Sequence, residues 1–387
     1  MFNFTATPPL SLYIHIPWCI KKCPYCDFNS HQNSHDIPEA QYIEALIKDL
    51  EQDLPSIWGR TVESIFIGGG TPSLLSAQGL DQLLSAIRAR LPLRPNLEIT
   101  MEANPGTFEQ EKFKDFFSAG INRLSIGIQS FDDEKLKTLG RIHNAFDAKH
   151  AIEIAYQAGF ENINLDLMFG LPNQTTQQAL ADIDQALAHS PNHLSLYQLT
   201  IEPNTLFHST PPQLPDDEIN WEMQLRCQEK LADAGLIQYE TSAYAKADRA
   251  CHHNLNYWQF GDYLGIGAGA HAKITDASAQ SITRSFKPKH PQTYMNHAGQ
   301  TSGINGQTIL SRHDVGLEFM MNALRLSQGF PLSLYYERTG LNITQLTKSL
   351  EEAEQRGLIE RDLHHIQTTA LGRQFLNELL MLFMPDK

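Results

Sequence analysis

The feature that most constrains this chain is a knot of thiols directly behind a strand. Ser11 to Pro17, SLYIHIP, carries β-branched and aromatic residues into a proline stop, which predicts a short strand. Cys19, Cys23 and Cys26 follow at once in C-x3-C-x2-C spacing. Thiolates this close in sequence, carried on a loop, can converge on one soft metal centre. Three sulfurs are one short of a closed tetrahedral zinc site. A [4Fe–4S] cube on three cysteines keeps one iron open to a small ligand, and that opening points to chemistry. The alternative is a Cys3His zinc site completed by His15, His31 or His35.

Behind this loop, strand-like runs alternate with amphipathic ones for about 235 residues. VESIFIGGGTP, LEITMEANP, NRLSIGIQS, NINLDLMFGLP and HLSLYQLTI read as strands. PEAQYIEALIKDLEQDL, SAQGLDQLLSAIRARL, FEQEKFKDFFSAG, AKHAIEIAYQAG, TTQQALADIDQALAHS and DEINWEMQLRCQEKLADAG read as helices, with FDDEKLKTLGRIHNAF as an insertion. Three helices end alike, at Ala119-Gly120, Ala158-Gly159 and Ala234-Gly235, where glycine supplies a left-handed cap. Six such units predict an α/β fold, a partial (β/α)6 barrel whose ligands lie at the C-terminal strand ends. Gly68, Gly69, Gly70 and Thr71, then Glu102, Gln129 and Asp166 beside Met168, fall at those ends, and Arg141 follows the fourth strand. Glycines there would let a ligand approach backbone N–H groups closely.

From about Ser311 the pattern turns helical, with a Gly357-Leu358-Ile359 turn, a short ribbon and a last helix, as in a winged helix. The candidate recognition helix TQLTKSLEEAEQR has more acids than bases, so packing or protein docking fits it better than DNA. The expected division is a barrel over 1–235, an extension over 236–300 and a C-terminal helical module over 301–387. A net charge of −14 argues against nucleic acid as a partner. Five cysteines, three of them clustered, suit metal binding in a reducing compartment. MFNFTATPPL lacks a signal-peptide pattern and no run reaches about 18 apolar residues, so a cytoplasmic protein without a spanning helix is expected.

C-IKK-C-PY-C, with Tyr25 in the aromatic slot, resembles the signature of radical S-adenosylmethionine (SAM) enzymes. In that superfamily the amino and carboxylate groups of SAM chelate the fourth iron. The resemblance implies the same open barrel and, position by position, SAM contacts from Tyr13, Tyr25, Gly69, Gly70, Thr71, Glu102, Gln129, Arg141 and Asp166. LYIHIPWC, IFIGGGTPS, RLSIGIQSF, NLDLMFGLP and DYLGIGAGAH resemble, over nearly the whole chain, the oxygen-independent coproporphyrinogen III oxidase family.

Two branches of that family differ in function: the decarboxylating oxidase and the HemW-type haem chaperone. Phe28 stands where the oxidase has a fourth cysteine, and only ten residues precede the first strand where the oxidase has a longer covering segment. His253-Asn254-Leu255-Asn256-Tyr257-Trp258 matches the HNxxYW pattern of the chaperone branch. An imidazole beside two large aromatics offers an axial iron ligand and a flat apolar surface, which makes His253 the expected metal ligand, with Tyr257 and Trp258 against the ring. Cys251 and His252 stay as neighbouring alternatives. Between Tyr244 and His290 six basic residues stand against three acidic ones, a positive stretch suited to haem propionates. The resemblance thus implies a haem chaperone holding haem, a [4Fe–4S] cluster and SAM, delivering haem to an acceptor protein that is expected at the membrane face. The alternative is a radical-SAM coproporphyrinogen oxidase, and a homodimer stays open. GDYLGIGAGAH lacks the Lys-Ser/Thr ending of a phosphate loop, so close backbone packing beside the cofactor region is expected of it.

Overall fold

The structure is a computed structural model, and it describes residues 2–33, 37–106 and 110–384. Six strands pair side by side in chain order, all parallel: β1 (Leu10–Ile16), β2 (Val62–Gly69), β3 (Leu93–Ala103), β4 (Arg123–Gln129), β5 (Asn162–Phe169) and β6 (His193–Gln198). They are the six that alternation predicts. The connecting helices are α1 (Glu39–Asp53), α2 (Ala77–Arg90), α3 (Phe113–Ala119), α4 (Asp133–Thr138), α5 (Ala145–Gln157), α6 (Thr176–Ala188) and α7 (Asp217–Asp233). Each long helix buries one apolar stripe; α2, for example, buries Leu80, Leu83, Leu84 and Ile87 at helical spacing. Ser76, Asn144 and Thr175 cap helix starts with their side chains. The expected glycine stops hold, with Gly120, Gly159 and Gly235 at φ of 112, 103 and 78°.

Past β6 the chain adds β7 (Ile237–Glu240) and β8 (Ala243–Ala245) antiparallel to that edge. It then crosses to the other flank, where β9 (Asp262–Ile266) lies parallel to β1 as a seventh parallel strand. Sequence alternation misses β9 because its glycines read as packing rather than strand. β10 (His271–Asp276), β11 (Ser281–Phe286) and β12 (Gly306–Ile309) extend the sheet antiparallel, to twelve strands with β7 and β12 at its edges. Between β8 and β9 in sequence lies α8 (His252–Trp258), which packs on β1, β2 and β9. The sheet does not close on itself, with β7 and β12 left as its edges, and α8 packs against its middle strands.

After α9 (Pro291–His297), the C-terminal elements are α10 (Arg312–Ala323), β13 (Phe330–Pro331), α11 (Leu332–Thr339), α12 (Thr347–Gln355), β14 (Ile359–Arg361) and β15 (His365–Thr368). A three-stranded sheet in the order β13-β15-β14 against these helices gives the winged-helix-like arrangement. Its core also takes in Phe4, Phe260 and Ile282 from the barrel side, so the module is packed on the barrel.

Ion pairs fasten the extension to the barrel and to the C-terminal module. Asp262 accepts from Arg60 Nη1 at 2.8 Å, Lys273 Nζ at 2.9 Å and the Thr275 amide at 2.8 Å. Lys287 pairs with Asp49 at 2.5 Å and Asp53 at 2.8 Å, and Arg284 with Glu318 at 2.5 Å. This corrects one expectation, because three of the six basic residues between Tyr244 and His290 neutralise internal acids and do not form a surface for propionates. Among the described residues no helix is long and apolar enough to cross a membrane.

Candidate functional site

The barrel lumen holds two adjoining chambers. The first, about 370 Å³, lies at the C-terminal strand ends. Cys19, Cys23 and Cys26 line it together with Tyr25, Gly69, Gly70, Thr71, Glu102, Gln129, Arg141 and Asp166, so the structure gathers nearly all the residues that spacing singled out. All three thiols are free and half-buried. Arg141 donates to the Cys23 sulfur across 3.6 Å and anchors on Asn104 Oδ1 at 2.6 Å, while its own Nε is buried without a partner. The thiolate is the form that ligates iron. Burial pushes the Cys19 and Cys26 thiols up, so ligation there displaces protons.

The glycine amides are already engaged within the chain. The amides of Gly69, Gly70 and Thr71 already donate to Glu102 Oε2, Ile16 O and Trp18 O, at 3.0, 2.7 and 2.7 Å. A Cβ on Gly70 would stand 2.4 Å from the Trp18 carbonyl oxygen, so the residue is small because the cysteine loop crosses it. GDYLGIGAGAH behaves as expected: Cβ atoms on Gly267 and Gly269 would stand 2.4 Å from His15 O and Asn29 Nδ2 on the cysteine segment. Gln129 ends β4 with φ at 68°, a left-handed conformation uncommon for a non-glycine residue. Glu102 is pushed up to about 8 by burial and by the neighbouring Asp166. Burial likewise raises Asp166, which Ser125 Oγ and Asn164 Nδ2 hold at 3.0 and 2.8 Å.

The zinc alternative finds little support. His15 has both ring nitrogens engaged, with Tyr13 Oη at 2.9 Å and Asn29 O at 2.8 Å, and His31 Nε2 lies 3.3 Å from Lys289 O. His35 lies outside the described residues. Among the described residues, no three His, Cys, Asp or Glu side chains gather around a point as ligands of one ion do. The thiols instead border a cavity with room for a larger group, and that donor set fits an iron–sulfur cluster.

The second chamber, about 350 Å³, lies toward the N-terminal strand ends and shares Glu102, Ser125, Asp166 and Tyr197 with the first. His253, Tyr257 and Trp258 of α8 all line it. Tyr13 lines this chamber rather than the one with the cysteines, where the family resemblance had placed it. His253 is 4% exposed, with Nδ1 3.4 Å from Ser64 Oγ and its ring 5.0 Å from that of Phe66. Burial and the Arg123 charge lower its pKa to about 3, so the imidazole is neutral, the form that binds metal. Nε2 takes no hydrogen bond among the described residues. Of the two alternatives, Cys251 is fully buried against Glu98 and His252 is exposed. Sequence reasoning misses Arg123, Glu240 and Arg325, which line the same chamber from β4, β7 and the turn after α10.

Comparison with known proteins identifies relatives of this chain. The model of the radical SAM superfamily matches residues 13–186, and that of the HemN C-terminal domain matches residues 310–375. The haem chaperone HemW of Haemophilus influenzae is 50% identical over 384 residues, covering 98% of this chain and 99% of the relative. Escherichia coli HemW is likewise 50% identical, over 379 residues, with 98% and 99% covered. Bacillus subtilis HemW is 35% identical over 387 residues, with 97% and 99% covered. Among solved structures, the E. coli coproporphyrinogen III oxidase HemN, a radical SAM enzyme, superposes with a TM-score of 0.82 at 23% identity, covering 97% of this chain and 90% of that one. That likeness carries the fold alone.

Proposed function

The chain belongs to the HemW family within the radical SAM superfamily, and from that premise we propose that it binds haem in the barrel and passes it to a haem-requiring acceptor protein. The observation that carries this reading is the position of α8. It puts a neutral imidazole with an unbonded Nε2 and two aromatic rings on a cavity that adjoins the cysteine chamber. His253 would ligate the haem iron, and Tyr257 and Trp258 would lie against the macrocycle.

Cys19, Cys23 and Cys26 would hold a [4Fe–4S] cluster, and Tyr25, Glu102, Gln129, Arg141 and Asp166 would surround SAM on its open iron. Such a cluster supplies one redox-active iron open to a small chelating ligand. The protein's part is to position and shelter it: the cysteine loop is pinned by Gly70 and Asn29, and Arg141 steadies Cys23. Delivery to an acceptor at the membrane face, and a homodimer, belong to the same proposal.

The rival is the oxidase, which shares the fold. Anaerobic incubation with coproporphyrinogen, SAM and a reductant separates the two. The chaperone reading expects one haem bound per chain and no protoporphyrinogen formed, and robust turnover overturns it.

A further inference from the structure

Four polar atoms on the wall of the second chamber lack hydrogen-bond partners although they are buried: Arg123 Nε, Arg325 Nε, Trp258 Nε1 and Glu240 Oε2. Buried polar groups are normally satisfied, so a cluster of orphans around one cavity marks a missing guest. Three of the four are donors. Arg123 is 2% exposed, makes no hydrogen bond among the described residues, and stands 3.9 Å from Glu98. Its charge faces Glu98 and Asp166, but neither comes within hydrogen-bond distance, so its N–H groups stay open to an acceptor. The Arg325 guanidinium lies 4.4 Å from the centroid of the Trp258 ring, with Nη2 3.7 Å from Glu240 Oε2. The lone acceptor among the orphans therefore already has a cation near it. Three of the cations between α8 and Arg325 are already committed, since Lys273, Arg284 and Lys287 pair with Asp262, Glu318, Asp49 and Asp53.

We infer that the second chamber is a carboxylate-binding site, in which Arg123, Arg325 and the Trp258 indole N–H receive an alkyl-carboxylate arm of the guest. The inference rests on the haem reading above and deepens it: the arm is a propionate of the porphyrin whose iron His253 ligates. Charge-assisted bonds from guanidinium are strong and directional, so they would fix the rotation of the macrocycle as well as its affinity. Arg325 reaches the chamber from the C-terminal module, whose following residues close on β7 through the Glu240–Leu326 bridge and a 3.0 Å bond from the Ser327 amide to Tyr239 O. The winged-helix-like module thus contributes a residue to the barrel's site.

The test titrates two probes, iron(III) protoporphyrin IX and its dimethyl ester, into the full chain. Wild type is expected to prefer the free acid by about tenfold or more. Arg325→Gln should lose about that factor for the acid, so that the preference collapses. Trp258→Phe, which keeps a ring under Arg325 and removes the indole donor, should narrow the preference a few-fold and guards against a fold defect in the first variant. If the acid binds and the preference survives both changes, the carboxylate assignment is overturned while the haem reading stands. If wild type binds neither porphyrin, the haem reading falls and this inference falls with it.

Discussion

At the C-terminal end of the lumen the polar groups come from loops and strand ends between Cys19 and Glu202. At the N-terminal end they come from β1, β3 to β7, α8 and the turn after α10, a span from Tyr13 to Arg325. The first end offers thiols, the second an imidazole, two guanidiniums and flat aromatic rings, and the acids Glu102 and Asp166 lie on the wall they share. The contrast teaches how each site can be damaged. Loop residues can be changed at one end while the other stays intact, whereas the second chamber depends on the extension and C-terminal module staying docked.

That separation can be broken most sharply at the cysteines. Cys23→Ala should bring iron and sulfide to background after anaerobic reconstitution, while haem affinity shifts by less than about threefold, because His253 stands in the other chamber. Simultaneous loss of haem binding would show that the two ends form one site. Asp262→Ala leaves Lys273 and Arg60 buried beside an empty position, and should destabilise the chain by about 3–5 kcal/mol in urea unfolding. A loss below about 1 kcal/mol would mean that the network is not what fastens the extension to the barrel. Gly70→Ala drives a Cβ toward the Trp18 carbonyl, and should cost about 1–3 kcal/mol and lower cluster content, with haem binding spared. Equal iron content in this variant would argue against crowding under the cysteine loop.

The smallest effect concerns protons. The folded pKa of Glu102 is pushed up to about 8 from an ordinary value of 4.5, so between those values the unfolded chain binds fewer protons than the folded one. This group's contribution to the stability of the cluster-free protein is therefore present below about pH 4.5 and lost as pH rises toward 8. Glu102→Gln should flatten that part of the stability profile, and an unchanged slope from pH 5 to 8 would place the titration elsewhere.

Much of the barrel was legible because parallel strands buried on both faces, amphipathic helices and glycine stops each leave local patterns. The cysteine site was legible for the same reason: Cys19, Cys23 and Cys26 are neighbours in sequence before they are neighbours in space. β9 was missed because Gly265 and Gly267 mask its strand character, although tight backbone packing is what requires them. The second chamber was half legible. The six residues from His253 to Trp258 stand out as a motif, but nothing local tells that Arg123, first in β4, faces inward, or that Arg325 folds back onto Trp258. The one available clue was parity, since Arg123 shares its face of the strand with Ser125, Gly127 and Gln129.

The most direct test of the central claim is an anaerobic haem titration of His253→Ala beside wild type, with iron and sulfide measured on the same samples. The account predicts affinity lower by about tenfold or more at equal cluster content. Unchanged haem affinity would contradict it and would move the axial ligand out of the barrel, with the exposed His252 first in line.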